Sequence, residues 1–309
     1  MTRLSFILPA YKRQYLSEAI KSILAQTFKD FELIVVDDCS PENLYSIVEG
    51  FSDSRLRYVR NEQNLGGLNL TLAWDKALTY ANGELCVLAS DDDVYMPTYA
   101  EKMLDIADRF KDVDVMHCRI GIIDDKGGLY KIGEARPEYE SCADLLYARG
   151  VKRCIQTAPE FMFRTSALKK IGGFVSFPAA WYSDDASWAM LARDKGIVCH
   201  PEVLFHWRFS GVNISARRDV TERKVIAAEE YKKWLWMFLE EAPCLSTEDK
   251  HIYDFLKKHI YESVDQQTLF DLSDASLGDW LRLLTKVQLP RRLKLRTIRN
   301  RIRDLIGLG

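Results

Sequence analysis

The first half of the chain alternates short apolar runs with segments whose apolar residues recur at helical spacing. Apolar runs at 4–9, 31–38 and 85–89 predict buried strands, and the spacing of Leu16, Ile20 and Leu24 predicts an amphipathic helix over 16–26. The same patterns predict further strands and helices, at 56–60 and 113–118 for strands and at 41–51, 68–82 and 97–110 for helices. Repeated strand–helix units predict an α/β fold with a mostly parallel central sheet covered by helices on both faces.

The second half of the chain has a weaker pattern. Residues 119–180 show no clear periodicity, although Gly127-Gly128 marks a hairpin-like turn. A helix is predicted over 184–195, ending at Gly196, and a strand over 203–209. From about residue 219 the pattern is helical, with breaks at Pro243 and Pro290, so we expect a helical C-terminal extension.

Composition limits the class of protein. The chain has 309 residues, 47% hydrophobic and 28% charged, with a net charge of −2, which is typical of a soluble globular protein of one large or two modest domains. Seven cysteines without CxxC spacing indicate reduced thiols of a cytosolic protein rather than a disulfide framework or a zinc site. We expect no signal peptide, because a strand begins almost at the N-terminus, and no apolar run approaches the ~20 residues of a membrane span.

Three consecutive carboxylates, Asp91, Asp92 and Asp93, follow the predicted strand 85–89. Carboxylates so close together repel one another, and a divalent cation with oxygen ligands is the usual counter-charge. The carboxyl end of a core strand is also where α/β sheets bind ligands. The triplet therefore suggests a metal site beside a nucleotide or phosphate, and the alternative is a solvated turn that caps the helix opening at Pro97.

Several segments together resemble glycosyltransferase family 2, whose members have the GT-A fold. The segments that carry the resemblance are FILPAYKR (6–13), SILAQTFKDFELIVVDDCS (22–40), NLGG (64–67), ANGELCVLASDDDVYMP (81–97), YSDDASWAMLARDKG (182–196) and VLFHWRFSGVNIS (203–215). The resemblance implies a Rossmann-like GT-A catalytic domain over 1–216. Its nucleotide-sugar half would span about 1–118 and its acceptor half about 119–216, followed by a helical extension at 217–288 and a basic helix at 289–309.

The resemblance also implies a donor site. Asp92 would ligate Mn²⁺ or Mg²⁺ through the nucleotide diphosphate, and Asp93 would ligate through water or support the loop. The residues expected to contact the nucleotide-sugar, most simply a UDP-sugar, are Pro9, Tyr11, Asp38, Asn64, Gly66, Asp91 and Arg208. Simpler alternatives remain open: the Asp37–Asp38 pair could cap a helix, and the loop from Asn64 to Gly67 could be an ordinary helix entry.

The sequence departs from the family pattern at three places. Trp74 and Asp75 stand where many members have Arg-Asn, which puts one diphosphate contact in doubt. Ser90 stands where many relatives have the first acid of Asp-x-Asp-Asp, and Ser210 stands where relatives often have a histidine. His206 could replace that histidine or could be an ordinary packed side chain.

The general base is expected in the segment YSDDASWAM. The resemblance assigns to Asp185 the removal of a proton from the acceptor hydroxyl during a single in-line displacement that inverts the anomeric centre. Asp184 is the second candidate, and the alternative is that both acids cap the helix 184–195. Trp181 and Tyr182 could form an acceptor platform, whereas Trp188, inside the helix, is better explained by core packing.

The C-terminal segment 289–309 is strongly basic. It holds seven Lys or Arg residues and a single acid, with an apolar stripe formed by Leu295, Ile298, Ile302, Leu305 and Ile306. A cationic helix with such a stripe is typical of interfacial membrane helices. The alternatives are a helix docked on the catalytic domain, a dimer contact or nucleic-acid binding, which nothing else in the chain favours.

The sequence thus predicts an inverting, metal-dependent glycosyltransferase of cell-surface polysaccharide synthesis. It would use a UDP-sugar and a glycan or lipid-linked acceptor, and would lie in the cytoplasm on the inner face of the plasma membrane. No nucleic-acid partner is expected, and homo-oligomerisation is left open. The alternatives are a non-catalytic membrane-associated scaffold with the same fold, or a sugar-phosphate nucleotidyltransferase. Nucleotidyltransferases of that class usually have a glycine-rich loop after the first strand, and the corresponding segment of this chain, PAYKRQYL, has no glycine.

Overall fold

The computed structural model describes residues 2–211, 213–287 and 289–305. Over these residues the chain forms one ten-stranded sheet. The strands are β1 (Leu4–Ala10), β2 (Phe31–Asp37), β3 (Leu56–Arg60), β4 (Leu85–Leu88), β5 (Val94–Tyr95), β6 (Val115–Ile123), β7 (Leu129–Ile132), β8 (Tyr139–Glu140), β9 (Phe161–Arg164) and β10 (Ile197–Arg208).

Helices cover the sheet and continue to the end of the described chain. In the first half they are α1 (Leu16–Leu24), α2 (Tyr45–Val48), α3 (Leu65–Leu68), α4 (Leu70–Leu78) and α5 (Tyr99–Arg109). In the second half they are α6 (Cys142–Gly150), α7 (Thr165–Lys170), α8 (Ser183–Ala192), α9 (Thr221–Glu241), α10 (Thr247–Ser273), α11 (Leu277–Lys286) and α12 (Arg291–Leu305).

The N-terminal half of the sheet is parallel, in the order β3-β2-β1-β4. Antiparallel β9 joins β4 to β6, β6 pairs in parallel with β10, and β5, β7 and β8 add short antiparallel pairs. Because β1, β2 and β4 run in the same direction, their carboxyl ends meet at one edge of the sheet. The predicted α/β fold with flanking helices is therefore confirmed, and the sheet is mixed.

The two faces of the sheet bury different helices, because side chains alternate along each strand. Phe6 and Leu8 of β1 pack with α1 and α5, whereas Ile7 packs on the other side in a cluster with α4, α6, α8, α9 and α10. Tyr231, Leu235 and other buried side chains of α9 belong to this second cluster. The helical extension therefore shares a hydrophobic core with the sheet.

Most predicted elements are present, with shifted ends. The predicted helix over 41–51 is only the four-residue α2, and the strand predicted over 203–209 begins at Ile197. The turn at Gly127-Gly128 joins the antiparallel strands β6 and β7, and Gly127 has a φ of 85°. The segment without clear periodicity contains α6, β9 and α7, which the pattern did not predict.

The last helix packs on the protein through one face. Leu293 and Thr297 are buried, Thr297 accepts a hydrogen bond from Trp280 Nε1, and Arg301 donates to the carbonyls of Ser273 and Ala275. Leu295, Ile298 and Ile302 remain exposed. The Leu305 side chain and Ile306, the rest of the predicted stripe, lie outside the described residues.

Two further findings bear on the sequence predictions. None of the helices described here is long and apolar enough to cross a membrane. All seven cysteines are free in this structure.

Candidate active site

One large cavity, of about 990 Å³, opens at the carboxyl ends of β1, β2 and β4. Both acidic clusters of the sequence line it, the triplet Asp91–Asp93 after β4 and the pair Asp184–Asp185 at the start of α8. The cavity continues from there to α6, α9 and α10. Its volume lies at the upper end of the range typical of small-molecule sites.

Asp38 follows β2 and lines the cavity, as predicted for a nucleoside contact. It is 4% exposed, and protein groups already bind both of its oxygens. Oδ1 accepts hydrogen bonds from Asn61 Nδ2 at 2.8 Å and Leu65 N at 3.0 Å, and Oδ2 accepts one from Gly66 N at 2.7 Å. The buried carboxylate is thus stabilised without a ligand, and Oδ2 retains a lone pair that could accept another donor.

The loop before α3 is shaped around Asp38. Asn64 caps this helix by accepting a hydrogen bond from Gly67 N at 2.6 Å. A Cβ atom at Gly66 would lie 3.0 Å from Asp38 Oδ2, so a side chain at this position would displace the loop from the Asp38 carboxylate. Asn64 and Gly66 both line the cavity, which is the position that a donor contact requires.

The end of β1 is attached to the acidic triplet. Asp91 Oδ2 accepts hydrogen bonds from the backbone N–H groups of Tyr11 and Lys12, each at 2.8 Å. Pro9 and Tyr11 line the cavity, and the Tyr11 side chain is 42% exposed. Asp91 therefore fixes the loop after β1 and leaves the Tyr11 ring free to form a wall.

Lys12, which sequence reasoning did not single out, neutralises part of the triplet. Its Nζ lies 2.7 Å from Asp92 Oδ2 and 3.4 Å from Asp91 Oδ1. Asp92 also accepts hydrogen bonds from Ser90 Oγ at 2.5 Å and Asn213 Nδ2 at 3.3 Å. The sequence did not identify this lysine as a partner of the acids because it lies about 80 residues upstream of them, and only the pairing of parallel strands brings it beside them.

Arg208 does not lie where the prediction requires. The side chain is 1% exposed and is absent from the cavity lining; it forms an ion pair with Glu18 at 2.7 Å. Its Nε donates to the Asp92 carbonyl at 2.8 Å, and its backbone N donates to Asp93 Oδ1 at 2.8 Å. In this structure the Arg208 guanidinium therefore binds Glu18 and the backbone of the triplet, and its contact with the nucleotide-sugar stays a prediction.

The triplet carries more negative charge than Lys12 can balance. Burial and the neighbouring Asp92 carboxylate raise the pKa of Asp93 well above its usual range. Burial also raises the pKa of Asp91, although Lys12 opposes that shift. Within the described ranges no three His, Cys, Asp or Glu residues are grouped tightly enough to hold a metal alone. The donor set fits a divalent cation only if diphosphate or water completes the shell and Lys12 leaves Asp92.

The second acidic cluster is built around Arg149 of α6. Asp185 Oδ1 accepts from Arg149 Nε at 2.8 Å and from Gln156 Nε2 at 3.0 Å, and Oδ2 accepts from Arg149 Nη2 at 3.1 Å. This two-bond pairing fixes the plane of the Asp185 carboxylate. A capping box between Ser141 and Asp144 opens α6, and this sequence signal could have predicted the helix that carries Arg149 but not the pairing of Arg149 with Asp185.

Asp184 lies beside this ion pair and also lines the cavity. Burial, together with the charge of Asp185, raises the pKa of Asp184 to about 7, while Arg149 opposes the shift. The two carboxylates are therefore different: one is held in an ion pair, and the other changes its protonation near neutral pH.

The aromatic residues near the pair Asp184–Asp185 lie in two different environments. Trp181 and Tyr182 line the cavity, and the Tyr182 ring stacks on Tyr231 of α9 at 4.5 Å. Trp188 is fully buried and stacks on Phe161 at 4.8 Å, so it is a core residue.

The departures from the family pattern have local explanations. Trp74 packs edge-on against Phe174, and Asp75 accepts a hydrogen bond from Phe174 N at 2.9 Å, so both support the β9–α8 connection. His206 pairs with Val94 in the sheet and is not among the residues that line the cavity. Asn213 and Arg217, from the segment after β10, do line it and were not predicted.

Comparison with known proteins agrees with this geometry. The sequence profile described as glycosyl transferase family 2 matches residues 5–172, more than half of the chain. An uncharacterised glycosyltransferase, MJ1057 of Methanocaldococcus jannaschii, is 29% identical over 161 residues, which are 51% of this chain and 53% of that protein. The Escherichia coli UDP-Glc:α-D-GlcNAc-diphosphoundecaprenol β-1,3-glucosyltransferase WfgD is 35% identical over 101 residues, 32% of this chain and 39% of that protein. The chain thus matches only about half, or less, of the length of these relatives.

Solved structures share the fold over most of the chain. TarS 1–349 of S. aureus, in complex with UDP-GlcNAc, has a TM-score of 0.65 at 20% identity and covers 94% of this chain and 82% of that one. The mannosyltransferase PcManGT of Pyrobaculum calidifontis, in complex with GDP-Man and Mn²⁺, has a TM-score of 0.57 at 16% identity and covers 98% and 87%. With the profile match, the fold and the acidic cavity all in agreement, this chain belongs to glycosyl transferase family 2.

Proposed function

We propose that the chain is an inverting glycosyltransferase that moves a sugar from a nucleotide donor to a glycan hydroxyl. The observation that carries the proposal is the single cavity lined by both acidic clusters. One cluster follows β4, where α/β sheets bind nucleotides, and the other opens α8. A donor bound at the first cluster and an acceptor bound at the second would meet in the same space.

The proposed donor is a UDP-sugar. The Tyr11 ring would form one side of the nucleobase site. The remaining lone pair of Asp38 Oδ2 would accept a hydrogen bond from the uracil ring or the ribose. Asn64 and Gly66 would support this part of the site, and Asp91 would hold the loop after β1 in place. The use of UDP-Glc by WfgD and the UDP-GlcNAc bound to TarS support the choice of nucleotide.

The proposed cofactor is Mn²⁺ or Mg²⁺, with Asp92 as its ligand and Asp93 as a second or water-mediated ligand. When bound, the cation would supply the positive charge that stabilises the departing diphosphate. Lys12 would then move from Asp92 towards phosphate oxygens, because a lysine on a flexible stem behaves as a point charge and needs no fixed geometry. Arg217 lines the same cavity and could add a further cationic contact.

The proposed general base is Asp185. Arg149 and Gln156 would orient its carboxylate, and Oδ2, which accepts a single hydrogen bond, would take the proton of the acceptor hydroxyl. Loss of that proton lets the oxygen attack the anomeric carbon while the bond to the diphosphate breaks. Asp184 would tune the reaction through its own charge.

The proposed acceptor is a lipid-linked glycan of cell-surface polysaccharide synthesis, as supported by WfgD, whose acceptor is α-D-GlcNAc-diphosphoundecaprenol. The exposed Leu295, Ile298 and Ile302 of α12, surrounded by basic residues, would contact the inner face of the plasma membrane. Anionic lipid would add about 1 kcal/mol per basic residue near the surface.

Release of UDP from a panel of UDP-sugars tests the proposal. The protein would be incubated with diphosphoundecaprenol-linked sugars and with Mn²⁺, Mg²⁺ or EDTA. We expect acceptor-dependent UDP release with at least one sugar, abolished by EDTA. Absence of release from every donor and acceptor would favour the scaffold alternative, and release that persists in EDTA would contradict the metal assignment alone.

Sedimentation with vesicles tests the membrane contact separately. We expect vesicles of phosphatidylglycerol to retain the wild type and to retain the Leu295→Glu variant several-fold less. The control is Leu277→Glu on α11, which replaces another exposed leucine outside the basic helix. Equal retention of both variants would contradict the contact through α12.

A further inference from the structure

The cavity extends beyond the two acidic clusters to α10, a helix outside the segment matched by the family profile. Phe255, His259, Glu262, Gln266 and Gln267 of α10 line this part. Phe255, His259, Glu262 and Gln266 recur three or four residues apart within Thr247–Ser273, so they form one face of the helix, and Gln267 directly follows Gln266. Nothing in the sequence pattern of this helix assigns chemistry to it.

This end of the cavity has an aromatic shelf. The Phe255 ring stacks on the His259 ring at 4.3 Å and meets Tyr147 of α6 edge-on at 5.9 Å. Phe255 is nevertheless 39% exposed, so part of the ring remains available to a ligand. An aromatic ring of fixed orientation offers an apolar face to another ring at a low cost in conformational entropy.

Polar groups surround the shelf. Glu262 and Gln267 line the cavity, and Gln266 accepts a hydrogen bond from Arg153, whose backbone is left-handed with a φ of 56°. Left-handed backbone at a residue other than glycine is costly and is common at ligand sites. An alkyl chain in this space would desolvate these groups without offering them partners.

Gln156 lines the same cavity and contacts the proposed base. The side chain is 8% exposed and donates to Asp185, while its Oε1 has no hydrogen-bond partner among the described residues. A buried acceptor without a partner is expensive, and a ligand hydroxyl would satisfy it. Gln156 lines the same cavity as the carboxylate pair and the α10 face.

We propose that α10 forms an acceptor subsite for a carbohydrate chain of at least two sugar residues. A hydroxyl of the reacting sugar would donate a hydrogen bond to Gln156 beside Asp185. The next sugar would stack on Phe255, and its hydroxyls would form hydrogen bonds with Glu262, Gln266 and Gln267. A pyranose has both apolar and hydroxyl-bearing surfaces, which match the aromatic and polar side chains of this lining. A lipid chain has only apolar surface and does not match them. This inference rests on the proposed function and specifies which part of the acceptor the protein binds.

An array of immobilised glycans, probed with the full-length protein in the presence of UDP and Mn²⁺, tests the inference. The informative variant is Phe255→Ala, and Phe270→Ala is its matched control, because Phe270 is also an exposed phenylalanine of α10, at 67%, and does not line the cavity. UDP affinity, measured by calorimetry for each protein, separates the donor site from the acceptor site.

We expect the wild type and Phe270→Ala to retain the same glycans and Phe255→Ala to retain them about tenfold less, with UDP affinity unchanged in all three. Equal retention by Phe255→Ala and the wild type would overturn the inference, as would an equal loss in Phe270→Ala. A wild type that binds UDP but retains no glycan would also overturn it. A wild type that does not bind UDP would instead refute the proposed donor site.

Discussion

The two acidic clusters of the cavity are paired with different cations, and this difference separates their proposed tasks. The triplet Asp91–Asp93 faces the Lys12 ammonium, which lies near two carboxylates and makes no fork-like pairing with either. Asp185 faces the Arg149 guanidinium, which binds both of its oxygens. A lysine can yield its place to another cation, whereas a bidentate arginine fixes a geometry. The first cluster is thus suited to exchange charge on ligand binding, and the second to hold one carboxylate in place.

The largest expected effect comes from removing the proposed base. Asp185→Asn keeps the shape of the side chain and should lower kcat for acceptor-dependent UDP release by about 10²-fold or more, because the acceptor proton has no recipient. UDP affinity should not change. The control is Asp194→Asn, an exposed acid just beyond the same helix. A larger loss in Asp184→Asn than in Asp185→Asn would transfer the role of base to Asp184.

A smaller effect should follow from Arg149→Lys, which keeps the charge and removes the two-bond geometry. We expect kcat to fall about tenfold with little change in UDP affinity, since the carboxylate loses its fixed orientation. Arg109→Lys, at an exposed ion pair of α5, is the matched control. Unchanged kcat in Arg149→Lys would show that charge alone suffices at this cluster.

Lys12→Met tests the cation at the other cluster, the triplet Asp91–Asp93. Removing the ammonium leaves Asp92 without its cationic partner, so Mn²⁺ in the absence of nucleotide should bind several-fold more tightly. Electron paramagnetic resonance of free Mn²⁺ would measure the change, with Lys102→Met at an exposed ion pair as the control. Weaker Mn²⁺ binding in Lys12→Met would contradict competition between lysine and metal for Asp92.

The smallest expected effect is a pH dependence due to Asp184. Its pKa of about 7 means that the carboxyl is neutral below this pH and ionised above it. Ionisation adds a negative charge to the cluster that receives the acceptor proton and so favours the transfer of that proton, and kcat should rise a few-fold as the pH increases through 7. The step should be absent from Asp184→Asn, and its persistence in that variant would assign it to another group.

The sequence predicted the place of Asp38 and the triplet in the fold better than the place of Arg149 and Phe255. Asp38, Asp91 and Asp92 directly follow apolar strands, and parallel strands must bring their carboxyl ends together. The position of the Arg208 side chain could not be predicted, because the pattern of one strand does not show on which face of the sheet its last side chain lies. Arg149 and Phe255 lie on helices whose partners are set by tertiary packing, which no local pattern reveals.

Calorimetric titration of UDP in the presence of Mn²⁺ into wild type, Asp92→Asn and Asp185→Asn tests the division between the clusters most directly. If the triplet binds the donor and the pair serves the acceptor, wild type and Asp185→Asn should bind UDP equally well, whereas Asp92→Asn should lose Mn²⁺-dependent binding. Wild-type affinity in Asp92→Asn, or an equal loss in Asp185→Asn, would contradict that division.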